Sequence, residues 1–289
     1  MPDTVEQADI RTLDIDKTVK GFAELEYVFK KYCNVSSTNG DSIRWYKKTA
    51  GDLTATAPSV ISNVSPLSLP ATLEVSWTRL TSYPRKYFVE GFMSMEDMKT
   101  ADVDVYAQTL RDLTRAIVKA VDARIWDIGT ESRTVVDLVT VATTVGGGTW
   151  NDETNGNPVK DLLRAQNLIA VEGYDIGNLV LFVSPLDYES LMFYIYRKGA
   201  QATGWGAAVL ESGQMTKILN MDVVVSPQVT ADYAAIWTKG RTVTWKTLVD
   251  TTAVSIVNQG IGTNIRVWEE GEALLTDPKS GCLITNTQT

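Results

Sequence analysis

The spacing of apolar positions changes several times along the chain, and each change marks an element. Between Asp102 and Gly129 the apolar residues step by three and four: Val103, Tyr106, Leu110, Leu113, Ile117, Val121, Ile125 and Ile128. That is the stripe of an amphipathic helix. Asp102 and Asp104 stand where the positive end of a helix dipole favours acid. Gly129 stands where a left-handed residue commonly ends a helix. Asp112 with Arg115, and Lys119 with Asp122, are spaced to pair on the wet side. The pattern predicts one rod over 102–128, roughly 40 Å long at a rise of 1.5 Å per residue. A rod of that length is long for a compact domain of this size, and by itself reads as a core helix.

Other segments read by the same rule. Lys17–Cys33 puts Val19, Phe22, Leu25, Val28 and Phe29 on one side and predicts a helix that docks on another surface. Asp41–Lys48, Ala71–Leu80 and Pro84–Phe92 alternate apolar and polar residues as strands do. Between the first two lies Thr49–Pro70, almost uncharged and rich in small hydroxyl residues and proline. A loop that long inside a domain usually touches a partner or carries function. Ser94 to Asp97 can cap a short turn before the rod. Arg133–Val145 predicts a strand ending in Gly146–Gly148. No Gly-Lys-Ser/Thr follows those glycines, so they make a turn rather than a phosphate loop.

Farther on, Asn157 caps a helix with Pro158 at its first position and Gly173 at its end. Asn178–Val183 is a buried strand, and Ser184-Pro185 opens a second helix. The acidic and amide run Asn151–Asn157 lacks calcium-loop spacing and reads as a surface turn. Arg197–Gln214, with Trp205 between glycines, reads as an exposed loop. Lys217–Val225 is a strand pair turning at Asn220. Ala234–Asp250, Thr252–Asn258, Asn264–Glu270 and Ala273–Thr276 are further strands. This order predicts an α+β fold with a mixed sheet.

Composition narrows the chemistry. The 289 residues are 44% hydrophobic and 21% charged, enough for one large or two modest folded domains. No apolar run is long enough to span a membrane. The acidic, polar start is expected to be neither a signal nor a transit peptide. Histidine is absent, which removes the commonest general base, the commonest zinc ligand and the usual hydrolase triad. No catalytic, metal or cofactor site is assigned. Cys33 and Cys282 are expected as free thiols. A net charge of −8 makes the chain a poor general binder of nucleic acid. Lys47-Lys48 and Arg85-Lys86 read as solvated strand edges. Glu269, Glu270, Glu272 and Asp277 are the densest carboxylate cluster, with Glu270 and Glu272 on one strand face. A carboxylate-dependent enzyme could use that geometry, and a solvated or interface strand face accounts for it as well. Asn34 and Asn63 each begin an Asn-Val-Ser sequon. The tryptophans are scattered and read as core or interface anchors.

Five phrases in order carry a resemblance: Leu73–Met98, Asp112–Gly129, Leu179–Leu191, Lys217–Val229 and Gly260–Asn286. Together they resemble a tailed-phage major capsid protein of the Hong Kong 97 type. The resemblance covers about Phe22 to Asn286. It implies an N-terminal arm over 1–40, an extended β-hairpin loop over 41–91, and a peripheral domain over 92–150 with its spine helix at 102–128. An axial domain over 151–235 and returning strands over 236–289 complete it. The implied function is self-assembly into an icosahedral head shell enclosing double-stranded DNA, without catalysis or sequence-specific DNA contact. The implied partners are further copies in pentamers and hexamers, with portal, scaffold and decoration proteins. The implied place is the virion, assembled in the host cytoplasm.

The resemblance also proposes interface residues. Phe22, Val28 and Phe29 would dock the arm. Trp45, Lys47, Lys48, Leu53, Val60 and Leu67 would lie in the extended loop. Trp205 would stand at the axial tip. Only about twenty residues precede the arm helix, which implies a separate scaffold or none. Lys–Asn cross-links, known in some members, would draw on Lys47 or Lys48 with Asn264 or Asn286. An encapsulin-like nanocompartment is the alternative with the same fold.

Overall fold

The rod forms as the spacing predicts. In the computed structural model, which describes residues 19, 23, 26–52, 66, 69, 77–100, 105–134, 136–143, 148–199 and 215–288, a short helix α1 (Met95–Thr100) leads into it. The Asp97 N–H donates to Ser94 Oγ at 3.0 Å, the expected cap. The rod itself is α2 (Val105–Gly129), with 25 residues and therefore about 37 Å of length. Leu110, Leu113, Ile117, Val121 and Ile125 are buried along its stripe.

Its end differs from expectation. Gly129 is not left-handed; the positive φ values fall on Glu131, Ser132 and Arg133, at 50°, 51° and 65°. Glycine is required at 129 for a close approach, because a Cβ there would lie 2.4 Å from Trp237 Cζ2. The left-handed turn is held by Glu131, whose carboxylate accepts the N–H groups of Val136, Asp137 and Leu138 at 2.7, 2.9 and 3.1 Å. The strand expected from Arg133 is therefore delayed to β5 (Val139–Ala142).

The described strands are β1 (Asn34–Ser37), β2 (Ile43–Lys48), β3 (Trp77–Ser82), β4 (Arg85–Ser94), β5, β6 (Leu179–Val183), β7 (Lys217–Ile218), β8 (Met221–Val225), β9 (Tyr233–Thr238), β10 (Val243–Asn258), β11 (Gly262–Leu275) and β12 (Gly281–Thr285). They form a six-stranded sheet in the order β5-β12-β9-β6-β8-β7, a four-stranded sheet in the order β1-β10-β11-β4, and the isolated pair β2-β3. Parallel and antiparallel neighbours mix in the first two. The late strands, expected as separate pieces, are two long strands of one antiparallel ribbon. Register shifts between Thr247 and Thr252 bend the ribbon without ending it.

Helices α3 (Pro158–Val171) and α4 (Pro185–Gly199) follow their predicted caps. Asn157 accepts from the Lys160 N–H, Gly173 ends α3 at φ 93°, and Ser184 Oγ accepts from the Asp187 N–H. Helix α4 runs through Arg197 to Gly199, so the expected loop begins later than Arg197. Residues 200–214 lie outside the described set. Lys217–Val225 turns at Leu219 and Asn220, both left-handed, as a tight hairpin does.

The six-stranded sheet separates two cores by the alternation of its strands. Val180, Phe182, Ala235, Trp237 and Leu283 face the rod and the N-terminal segment. Leu179, Leu181, Val183, Ala234, Ile236, Cys282 and Ile284 face the side covered by α3 and α4. The rod also packs along β4 and β11 of the four-stranded sheet. One long helix thus ties a layered sheet at one end to an elongated ribbon at the other. Both cysteines are free and buried.

The predicted arm helix is shorter than the pattern suggests. Val19, Ala23 and Glu26 are helical, but the chain leaves the helix at Tyr27 and makes a single 3-10 turn over Lys30–Tyr32. The cause is Asp122 on α2. Its carboxylate accepts the N–H groups of Val28, Phe29 and Lys30 at 2.7, 3.2 and 3.3 Å, drawing that backbone out of helical pairing.

Candidate functional site

The surfaces available for assembly follow from this layout, and the hairpin β2-β3 is the most exposed. Trp45 pairs across with Leu80, and Lys48 with Trp77. Alternation places Trp45 and Leu80 on one face and Tyr46 and Trp77 on the other. Tyr46, Trp77, Leu80 and Tyr83 are exposed, while Trp45 is half-buried and donates from Nε1 to Ser82 Oγ at 3.0 Å. Leu53, Val60 and Leu67, proposed for the same loop, lie outside the described residues, as do Phe22 and Trp205.

Lys47 and Lys48 are not solvated edges. Lys47 Nζ pairs with Glu131 at 2.9 Å and Asp137 at 2.5 Å, tying the C-terminal end of β2 to the left-handed turn after α2. Burial opposes its charge, but hydrogen bonds to Asp137 and Glu131 prevail and hold it above the ordinary lysine range. Lys48 is buried, pairs with Asp52, and donates its N–H to the Thr276 carbonyl at 3.0 Å. Arg241 extends this cluster, pairing with Asp52 at 2.8 Å and with Asp277 at 2.8 Å. Tyr174 donates to Asp277 at 2.6 Å. Lys47 and Lys48 thus anchor the end of the ribbon that leads into 49–76, while Tyr46 and Trp77 beside them stay exposed.

The N-terminal segment is rooted too. Phe29 is 0% exposed, with its ring centroid 4.9 Å from Phe182 and 5.5 Å from Trp126. It fills the core of its own chain and offers no surface to a second copy. Val28 is half-buried against the same core. Beside them, Lys30 Nζ pairs with Glu269 at 2.7 Å, Thr251 Oγ1 donates to Glu269 at 2.9 Å, and Tyr27 donates its hydroxyl to the same carboxylate. Burial, then Glu269, pushes the Tyr27 phenol up. Burial pushes Asp122 up to about 6, against its three backbone donors. Residues 27–30 thus bridge the rod through Asp122 and the ribbon through Glu269.

The late carboxylates are each engaged by a cation or a phenol. Glu270 pairs with Lys86 at 3.1 Å, and Glu272 with Arg124 at 2.8 Å and Arg85 at 3.2 Å. These pairs tie β11 to β4 and to α2. The Asn264 amide donates to Glu90 at 2.5 Å. Asp122, expected on the wet side with Lys119, is buried and accepts backbone N–H groups instead, and the sequence reading did not single out Glu131 or Arg241. The signal for those two was an acid or base at a helix end or turn, which many surface residues share. Exposed Phe88 and Phe92 on β4 were also missed, because strand alternation does not say which face is covered.

A spine helix, an elongated ribbon, a two-helix layered sheet and a separate two-stranded hairpin define a shell subunit of the Hong Kong 97-type capsid fold. Solved structures agree. The capsid of cyanophage P-SCSP1u matches with a TM-score of 0.67 at 14% identity, over 90% of this chain and 88% of that one. A virus-like particle from Pyrococcus furiosus matches with a TM-score of 0.63 at 10% identity, over 95% and 99%. Mycobacterium phage Che8 matches with a TM-score of 0.62 at 14% identity, over 87% and 86%. No curated protein matches in sequence. The family model for phage capsid proteins matches residues 92–280, and the chain belongs to that phage capsid protein family. It is a major capsid protein, a subunit that associates with its own copies into the capsid shell. The encapsulin-like alternative is not favoured over it.

Proposed function

We propose that the chain builds the icosahedral head of a tailed virus from pentamers and hexamers, and that the shell encloses double-stranded DNA. Residues 41–91 act as the extended loop lying over a neighbouring copy. Residues 92–150 with α2 form the peripheral part, 151–235 the axial part around the capsomer axis, and 236–289 return between them. The reading rests most on the hairpin β2-β3. An isolated two-stranded ribbon is marginal in water, yet this one presents apolar side chains on both faces. A neighbouring subunit supplies the missing cover, and obligate contacts of that kind are large. With a net charge of −8, the shell holds DNA by enclosure and not by sequence-specific contact. Portal and scaffold proteins complete assembly in the host cytoplasm, and the particle carries out no catalytic step.

The test is expression of the full chain, alone and with its scaffold, followed by size exclusion and electron microscopy. Rings of five or six copies and hollow shells are expected. Deleting Thr49–Pro70 should leave a soluble subunit without stable shells. Normal shells from that deletion would overturn the role given to the loop.

A further inference from the structure

We propose that the helical layer on the six-stranded sheet closes the capsomer ring head to tail, with Arg164 on α3 of one copy entering an acidic, aromatic pocket beside Glu189 on α4 of the next. This rests on the shell reading above and names the two faces that meet.

The two helices sit at different places on one sheet. Helix α3 packs on β12 and β5, and β5 is an edge strand. Helix α4 packs on β6, toward the opposite side. A ring of identical copies needs two unlike faces on each subunit, and the outward stripes of these helices are unlike. On α4 the stripe carries Leu186 at 57%, Phe193 at 48% and Tyr196 at 53% exposure, with Glu189 between them. On α3 it carries Lys160, Leu163, Arg164 and Val171, all exposed. Both stripes bear apolar groups of the kind that subunit contacts cover. Their charges differ: α3 presents two cations, and α4 presents Glu189 beside Arg197, whose charge is taken up by Glu153.

The α4 side also holds a receptacle. A cavity of about 260 Å³ opens between α4 and the turn before α3, lined in part by Trp150, Asp152, Glu153, Glu189, Phe193 and Tyr194. Arg197, the one cation at its rim among the described residues, stands 5.9 Å from the Phe193 ring centroid and is turned onto Glu153, donating to its carbonyl at 2.8 Å and standing 3.6 Å from its carboxylate. Glu189 forms no ion pair among the described residues, and neither does Arg164. Carboxylates and aromatic faces around one cavity suit a planar guanidinium, which can pair with an acid while stacking on a ring.

The test is a charge swap in the full-length chain, read as shell yield by sedimentation and electron microscopy. Arg164→Glu and Glu189→Arg should each cut assembly by at least about tenfold, since like charges then face each other across the contact. The double variant, which restores the pair with its ends exchanged, should recover to within about threefold of wild type. Both side chains are exposed, so the melting temperature of the unassembled subunit should not move. Single variants that assemble as well as wild type overturn the proposal. So does a double variant no better than the singles, or an assembly loss that tracks a fall in melting temperature. A wild-type chain that never forms rings or shells, with its scaffold present, overturns the shell reading and this contact with it.

Discussion

Replacing Phe29 with alanine separates two roles that the bare sequence leaves together. If the side chain docks the arm on a neighbour, its loss should spare the isolated subunit and impair assembly. The structure assigns it to the core instead. The ring has no exposed surface and lies 4.9, 5.5 and 6.0 Å from Phe182, Trp126 and Trp237. Truncating a buried phenylalanine costs about 3–5 kcal/mol. The three neighbours come from β6, α2 and β9, whose backbones are fixed by separate contacts, so the hole cannot easily collapse. A cost near the middle, about 4 kcal/mol, is expected. At about 2–4 °C per kcal/mol for a chain of this size, the melting temperature of the unassembled subunit should fall by about 10 °C. Thermal melts and urea titrations of subunit kept below its assembly concentration measure this. The urea midpoint should drop while the slope is unchanged. A variant subunit that melts with wild type but cannot assemble would refute the core assignment and return Phe29 to the interface.

Two other outcomes follow from equally local features. Gly129→Ala should destabilise the subunit by about 1–3 kcal/mol, because the added methyl meets the Trp237 ring at 2.4 Å in a packed core; an unchanged melt would show that the rod end and β9 are free to separate. Asp122 has its folded-state pKa raised by burial from 3.8 to about 6. A raised carboxylate favours folding fully below its unfolded value, and that contribution is lost as pH rises through the folded value. The stability of wild type relative to Asp122→Asn, which does not titrate there, should therefore decline by about 2–3 kcal/mol between pH 4 and pH 7. Urea titrations of both proteins at the two pH values check it, and a constant difference would count against the burial argument.

Much of this was legible in the residues because it depends on neighbours in sequence. The rod, the Asn157-Pro158 and Ser184-Pro185 helix starts, the Gly173 stop and the turn at Asn220 all follow from periods of a few residues and from single-residue backbone preferences. The order of those elements sufficed for the resemblance to a capsid protein. What failed did so where a distant group intervened. The arm helix stops at Tyr27 because Asp122, more than ninety positions away, takes its N–H groups. The left-handed turn falls after Gly129 rather than on it, because Glu131 gathers the backbone there. Lys47 and Lys48 read as wet because a strand edge is usually wet, and nothing near them in sequence announces Glu131, Asp137 or Asp52.

The sequence alone determined the elements, their order and the absence of histidine chemistry, because helix and strand periods, caps and composition are properties of short segments. Only the tertiary structure decided which apolar residues are core and which are left bare. Phe29 and Trp77 are alike in pattern, yet one is sealed among three aromatic rings and the other stands exposed on a two-stranded hairpin. Burial depends on what the chain brings up from far along its length, and for a shell subunit the bare remainder is where the next copy fits.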